Sequence, residues 1–186
     1  MSTFSVEVAI VDNGRVLLVR EPPLHCWRLP GGPVLDGMTL SGAAIRHTKE
    51  QTGLDIRLGR LIGLYSRPQW RAGGDTACVV LGLTMGGRRE LGARVDRARY
   101  FFPNALPDNL FPWDRQRIAD VFSGQQRGII VDEQVVWPFA TQEMDQILPS
   151  LAEEGFAEPE AALAEALRRL GVVLSAEDVA ALLQGS

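Results

Sequence analysis

The sequence is poor in cysteine and lysine and has no long apolar run. Its two cysteines, Cys26 and Cys78, have no metal-binding spacing and do not define a disulfide. One lysine stands against eighteen arginines, a bias that we attribute to a GC-rich coding genome. No apolar run approaches the roughly 20 residues that a membrane-spanning helix needs, and the first residues lack a signal-peptide pattern. We therefore expect a cytoplasmic protein with reduced thiols and no membrane contact.

Charge is divided unevenly along the chain. Residues 1–131 contain 17 Lys and Arg and 12 Asp and Glu, a balance of +5, whereas residues 132–186 contain 2 and 11, a balance of −9. This division indicates a body that attracts an anionic ligand and an acidic appendage that repels one, with two merely solvated surfaces as the alternative. Because the sequence pI is near 5.2 and there is no dense basic stripe, nucleic acid is not favoured as a partner.

The first three quarters of the chain predict a mixed α/β domain over residues 1–137. Residues 4–11 and 16–19 are apolar and flank an Asp-Asn-Gly turn, which is the pattern of a β-hairpin. A helix is predicted from Thr39 to Thr52, ended by Gly53, and residues 30–32 predict a tight turn. The other predicted strands cover 27–29, 56–65, 77–84, 98–102 and 129–136, and a second helix covers 113–122.

Residues 138–186 predict an acidic helical extension. Its helices are expected over 141–148, 159–170 and after Ser175, where Ser175 and Asp178 resemble a capping box. The middle helix carries an apolar stripe at helical spacing, which consists of Leu163, Ala166, Leu167 and Leu170. We expect this stripe to pack against the body, and contact with a second copy in a homodimer is the alternative.

The most specific pattern lies in residues 27–54, WRLPGGPVLDGMTLSGAAIRHTKEQTGL. This segment resembles the Nudix family, whose signature is Gly-X5-Glu-X7-Arg-Glu-apolar-X-Glu-Glu-X-Gly-apolar, commonly preceded by Trp-X-Leu-Pro-Gly. With Gly32 as the first glycine, the matching positions are Arg46, Glu50, Gly53 and Leu54. The resemblance implies a mixed-sheet α/β/α sandwich in which the motif forms a loop, a helix and a loop over the active site. It also implies hydrolysis of a diphosphate that is linked to a nucleoside or another group.

Three acidic positions of the signature are not acidic in this chain. Met38 stands at the first glutamate, His47 follows the arginine, and Gln51 ends the final pair. In the family the helix glutamates bind magnesium or manganese, which neutralise diphosphate oxygens. Positions 47, 50 and 51 share one quadrant of a helix, where they present an imidazole, a carboxylate and an amide. We therefore expect Glu50 to bind magnesium or manganese only weakly. Candidates for further carboxylates are Asp36, Asp75, Asp108 and Asp114.

Glu50 and His47 are the candidate catalytic residues. Glu50 keeps the register of a metal ligand, with a solvated helical glutamate as the alternative. Histidine titrates near neutral pH and can act as a general base, although a polar contact is the simpler role. Arg46 is expected to pair with Glu50 one helical turn away. The glycines of the motif, Gly31, Gly32 and Gly53, are expected to serve its turns.

The candidate ligand contacts are tryptophans and arginines, namely Trp27, Arg28, Arg67, Trp70 and Arg71. Tryptophan can stack on a base, whereas core packing is its commoner role. Guanidinium groups suit phosphate or carboxylate oxygens, and Arg67 and Arg71 flank Trp70 in a predicted loop. The expected partner is a phosphorylated small molecule.

Three functions fit these residues. The resemblance favours a Nudix-type hydrolase of a nucleoside-diphosphate-linked or related substrate, with an atypical or impaired metal site. The altered acids favour a ligand-binding or regulatory domain without hydrolysis, or an enzyme of small-molecule metabolism that uses the pocket for another reaction.

Overall fold

The computed structural model describes residues 3–125 and 127–184. Eight strands form one mixed sheet, in the order β3-β2-β1-β6-β5-β8, with β4 paired to β1 and β7 paired to β2. The strands are β1 (Thr3–Asp12), β2 (Arg15–Glu21), β3 (Cys26–Arg28), β4 (Gly31–Pro33), β5 (Leu54–Arg67), β6 (Asp75–Gly87), β7 (Arg97–Phe101) and β8 (Ile129–Asp132). The helices are α1 (Leu40–Thr52), α2 (Pro112–Phe122), α3 (Ile147–Glu153), α4 (Pro159–Arg169) and α5 (Ala176–Leu183), and a 3-10 turn covers Met144–Gln146.

Helices cover both faces of the sheet, which confirms the predicted α/β/α sandwich. Successive residues of β1 point to opposite faces. Val6 and Val8 pack with Ala43 and Ala44 of α1, while Ala9 packs in the cluster that includes Ile118 of α2. The predicted hairpin is confirmed by the antiparallel pairing of β1 with β2. The central strand β1 is therefore buried on both sides.

The local signals predict the bounds of α1. The Thr39 hydroxyl accepts a hydrogen bond from the Gly42 N–H at the N-terminus, and Gly53 adopts a left-handed conformation with φ 72° at the C-terminus. The capping box of α5 is also confirmed, because Ser175 and Asp178 exchange hydrogen bonds between side chain and backbone.

Residues 30–32 do not form a simple tight turn, because Gly31 and Gly32 belong to β4 and pair with Glu7 and Val6 of β1. Gly31 has φ 154°, and a Cβ atom there would lie 2.1 Å from the Val6 carbonyl oxygen. The glycine therefore permits an approach to β1 that a larger residue blocks.

Two predicted elements near the C-terminus are shifted. The strand expected over 129–136 ends at Asp132, and the helix expected over 141–148 begins only with the turn at Met144. The intervening segment is held against the body by buried Trp137 and Phe139, and the Trp137 indole donates to the Thr141 carbonyl oxygen at 2.7 Å. The contact of Trp137 engages Thr141, the residue at which the predicted helix was expected to begin, and the helix starts later.

The C-terminal helices pack on the body through an aromatic cluster. Trp70 lies edge-on to both Trp113 and Trp137, with ring centroids 4.8 and 4.7 Å apart. The stripe of α4 is buried in the same cluster, and it comprises Leu163, Ala166, Leu167 and Leu170. This arrangement confirms the expected packing of the stripe against the body. Over residues 3–125 and 127–184, no helix has the length and apolar character required to cross a membrane.

Candidate active site on helix α1

Polar side chains of α1 and of the neighbouring strands β2 and β3 form a surface that we call the α1 surface. It consists of Glu21, Arg28, Arg46, His47, Glu50 and Gln51 and borders the backbone of β4. Helix α1 presents its alanines to the sheet, so its opposite edge carries the last four of these side chains. The sequence thereby brings together Arg46, His47 and Glu50, as the motif predicts.

Gln51 joins α1 to β4 by two hydrogen bonds and to β2 by a third. Its amide oxygen accepts from the Gly31 N–H at 2.8 Å. Its amide nitrogen donates to the Gly31 carbonyl oxygen and to Glu21 Oε1, both at 2.9 Å. Both backbone groups of Gly31 are therefore satisfied by one side chain, and the amide fills the space between two oxygens.

Glu21 contacts both Gln51 of α1 and Arg28 of β3. While its Oε1 accepts from Gln51, its Oε2 lies 3.6 Å from the Arg28 Nη1 atom. The Arg28 side chain keeps 29% of its surface exposed, and although burial of its charged end lowers the pKa of Arg28, the nearby carboxylates of Glu21, Glu7 and Asp114 outweigh this effect and raise it. Of the five predicted ligand contacts, Arg28 is the one that lies within the α1 surface.

His47 ties the helix to the end of β4. Its Nε2 lies 2.9 Å from the Pro33 carbonyl oxygen, which can only accept, so Nε2 carries the proton in this hydrogen bond. Nδ1 then faces Glu50 Oε2 at 3.8 Å. A Cβ atom on Gly32 would lie 2.9 Å from Nε2, which explains why the histidine ring needs a glycine beside it.

Glu50 is the most accessible acid of the α1 surface. Its side chain is 52% exposed and accepts a 2.6 Å hydrogen bond from Arg46 Nε, the pairing that the sequence predicts. The hydrogen bond from Arg46 is the largest cause that holds the pKa of Glu50 below its usual value; burial opposes it, and the charges of Arg46, His47 and Arg94 add to the lowering. Glu50 is therefore a carboxylate at neutral pH.

These residues do not fit a hard divalent cation. Such ions prefer several oxygen ligands with negative charge, whereas the Gln51 amide is neutral and bonded to Gly31 and Glu21, and His47 offers a ring nitrogen. Met38 packs beside the apolar core under α1. Within residues 3–125 and 127–184, no group of three or more His, Cys, Asp or Glu side chains is arranged to hold a metal ion.

Two of the candidate carboxylates lie instead in a buried charge cluster that the sequence reasoning missed. Arg117 of α2 is fully buried and donates to Glu7 at 2.7 and 2.8 Å and to Glu133 at 2.8 and 3.2 Å. Asp114 lies 3.8 Å from the same guanidinium group, and Asp75 pairs with Arg67. The sequence feature that could have indicated this cluster was Glu7, an acid that lies between Val6 and Val8 of β1.

Two carboxyl groups of the cluster, of Glu7 and Asp114, have pKa values that are shifted in opposite directions. Burial opposes the ionisation of Glu7, but Arg117, Arg28 and Arg67 outweigh it and lower the pKa of that carboxyl. Burial and the negative charge of Glu7 raise the pKa of Asp114 to about 7. One oxygen of Asp114 has no hydrogen-bond partner. Asp114 is consequently half protonated near neutral pH.

The other four predicted ligand contacts have partners within the protein. Trp27 is buried against Phe101, and Trp70 lies in the aromatic cluster. Arg67 is buried between Asp75 and Glu133, with its guanidinium carbon 4.8 Å from the Trp70 ring centroid. The guanidinium carbon of Arg71 lies 4.7 Å from the centroid of the Trp137 ring.

Comparison with known proteins places the fold in a defined class. A solved structure of a UDP-X diphosphatase superimposes with a TM-score of 0.61 at 19% identity, covering 69% of this chain and 67% of the other. The family model described as NUDIX domain matches residues 1–121. This chain belongs to the Nudix family.

Two curated relatives each resemble about two thirds of the chain. An ADP-ribose pyrophosphatase of Methanocaldococcus jannaschii is 32% identical over 128 residues, or 67% of this chain and 75% of that protein. A Bacillus subtilis protein whose name proposes 8-oxo-dGTP diphosphatase activity is 29% identical over 120 residues, or 64% of this chain and 78% of that protein. The matches leave about a third of this chain uncovered.

Proposed function

We propose that this chain binds a nucleotide or a related diphosphate compound, and that its metal-dependent hydrolysis is strongly reduced. The observation that carries the proposal is the Gln51 amide, which stands at a metal-binding position of the motif and closes on Glu21 and Gly31. A diphosphate hydrolase that relies on a divalent cation needs carboxylates at this place. This chain has a satisfied hydrogen-bond network there instead.

The charge of the α1 surface supports direct contact with an anionic ligand. With neutral histidine, it holds two guanidinium groups, of Arg28 and Arg46, and two carboxylates, of Glu21 and Glu50. The helix positions 47, 50 and 51 contribute a single negative charge, whereas three glutamates would contribute three. A phosphate group therefore meets less repulsion here and depends less on a bridging cation.

We assign the phosphate contact to Arg28. Its side chain keeps 29% of its surface exposed, and one guanidinium nitrogen lies 3.6 Å from Glu21, which orients the group at the border of the α1 surface. A guanidinium fork suits phosphate oxygens. Trp27, Arg67 and Trp70 support the fold from the core in this proposal, because they are buried, and half-buried Arg71 packs on the Trp137 ring.

Hydrolysis remains the second candidate function. The names of the relatives favour it, and the exposed Glu50 carboxylate is the acid that this chain offers for it. His47, whose Nδ1 faces Glu50, is the accompanying candidate for proton transfer.

Calorimetric titration with ADP-ribose and with a nucleoside triphosphate, with and without magnesium or manganese, tests the proposal. We expect binding without added metal and little product in an assay for released phosphate compounds. Arg28→Gln should weaken binding about tenfold, the effect of losing one charge-assisted contact. Arg57→Gln, which removes an exposed arginine of β5, is the matched control and should leave the affinity unchanged.

The outcomes separate the two candidates. Rapid metal-dependent turnover that Glu50→Gln abolishes establishes the hydrolase and overturns the binding proposal. No binding of either nucleotide, with or without metal, removes nucleotides as the ligand class.

A further inference from the structure

We infer that the outer edge of β8 pairs antiparallel with the same edge of a second copy of this chain, across a two-fold axis at Ile130. The inference goes beyond the proposed ligand binding and does not depend on it. Strand β8 ends the sheet at one side, whereas β3, which carries Arg28, ends the strand order at the other. The pairing therefore leaves Arg28 at the far side of the sheet.

The outer edge of β8 offers backbone groups for a further strand. β8 runs parallel to β5, with Ile130 opposite Leu64 and Asp132 opposite Ser66, and the Glu133 N–H donates to the Ser66 carbonyl oxygen at 2.8 Å. Because alternate residues of a strand turn their N–H and C=O groups to opposite edges, those of Ile130 and Asp132 face outward. In the part of the chain that the structure describes, no strand pairs with this edge. An unpaired edge is a template for another strand.

A two-fold axis restricts which residues can lie opposite each other. Opposite residues of an antiparallel pair place their side chains on the same face of the sheet. A two-fold axis between neighbouring strands is perpendicular to the sheet, so the paired residue numbers have an even sum. When the pair is centred on Ile130, that residue lies opposite its own copy and Asp132 lies opposite Gly128 of the second copy. This register pairs the outward N–H and C=O groups of all three residues.

The apolar side chains at this edge fit the register. Ile130 is 79% exposed, at a kind of position where natural edge strands commonly carry a charge or a proline. In the dimer the two copies of Ile130 would lie about 5 Å apart, a distance at which cross-strand pairs stabilise a sheet. Leu61 is 40% exposed and borders the same edge, since a Cβ atom on Gly128 would lie 2.9 Å from Leu61 Cδ2. Pairing therefore covers apolar surface that the monomer leaves in water.

The charges at the two ends of β8 favour a second copy in the antiparallel direction. Arg127 and Asp132 are both exposed and lie on either side of the apolar residues. In the proposed register, Asp132 of each copy lies opposite Gly128 and next to Arg127 of the other. Gly128 has no side chain to separate the two charged groups. A parallel pair would instead place like charges opposite each other, which is destabilising.

Sedimentation velocity of the full chain over a wide range of concentrations tests the inference. We expect a reversible equilibrium between monomer and dimer, because one edge pair is a small interface. Ile130→Lys should abolish the dimer, since the new charge at the centre would lie opposite its own copy. Met85→Lys is the matched control, because Met85 is also an exposed apolar residue of a strand, 66% exposed on β6. It should associate as the natural chain does.

An exchange of charges tests the register. Arg127→Glu and Asp132→Lys should each weaken self-association about tenfold, because the ion pairs are replaced by repulsion between like charges. An equal mixture of the two variants should form a heterodimer about as tight as the natural homodimer. In that heterodimer every introduced charge faces a charge of opposite sign.

Each outcome supports or overturns the inference. A chain that stays monomeric at every concentration overturns it. A dimer that Ile130→Lys leaves intact also overturns it, because association then uses another surface. If the mixture of Arg127→Glu and Asp132→Lys associates no better than either variant alone, the antiparallel register is wrong. Both charge variants change exposed side chains, so the mixture decides the question even if Ile130→Lys does not fold.

Discussion

The buried charge cluster and the α1 surface use carboxylates in opposite ways. In the cluster, Glu7 and Glu133 are held by Arg117 in the interior, through four hydrogen bonds of 2.7 to 3.2 Å. On α1, Glu50 is half exposed and binds one arginine of the same helix. Removal of an ionic partner lowers stability strongly only where water cannot replace that partner. The cluster therefore maintains the fold, whereas substitutions on the α1 surface cost little stability.

The largest expected effect is that of Arg117→Met. This change leaves Glu7 and Glu133 buried without their cation, and it should lower the free energy of unfolding by about 3–5 kcal/mol. Urea denaturation measures the loss. Arg115→Met is the control, because this arginine is exposed on the same helix and donates to the Pro107 carbonyl oxygen. Equal losses for the two variants would remove the distinction between the regions.

The next effect concerns pH and Asp114. Its carboxyl has a pKa of about 7 in the folded protein, raised from an ordinary value of 3.8. The folded state therefore keeps a proton that the unfolded chain releases, and stability declines as pH rises from about 4 to about 7. Asp114→Asn cannot lose this proton, so above pH 7 it should be more stable than the natural chain by up to about 4 kcal/mol.

Unfolding at a series of pH values between 4 and 8 measures that difference. The comparison of the two chains isolates Asp114, because the other titrating groups are common to both. A difference that shrinks as pH rises would contradict the assignment of the raised pKa to this carboxyl.

The smallest effect is expected on α1 itself. Arg46→Gln removes an exposed pair one turn apart, which contributes only about 0.3–0.5 kcal/mol. The pKa of Glu50 should rise toward its ordinary value, because the hydrogen bond from Arg46 is the largest cause of its lowering. A nuclear magnetic resonance titration of the Glu50 side chain follows this shift. A destabilisation as large as that of Arg117→Met would mean that α1 also maintains the fold.

Local patterns were sufficient to predict most of the fold. The hairpin, the α1 caps at Thr39 and Gly53, and the capping box at Ser175 depend on neighbouring residues. The pairing of β4 with β1 was missed, because it depends on how closely Gly31 approaches Val6, which is 25 residues away in the chain. Likewise, the late start of the helix after residue 143 depends on Trp137 and its cluster.

The sequence predicted which residues of the candidate site lie together on α1, but not which distant residues they contact. Spacing alone placed Arg46, His47 and Glu50 together on one helix. The partners of Gln51 lie 20 and 30 residues away, at Gly31 and Glu21, and a helical pattern carries no information about them. The same limit hid Arg117, whose contact with Glu7 spans 110 residues.

The three hydrogen bonds of Gln51 also bear on how such a chain can change over generations. Codons for glutamine and glutamate differ only in their first base. The amide keeps the backbone of Gly31 in place while position 51 is one base away from an acid. A single base change at this codon therefore exchanges an amide for an acid at a position that already contacts both backbone groups of Gly31.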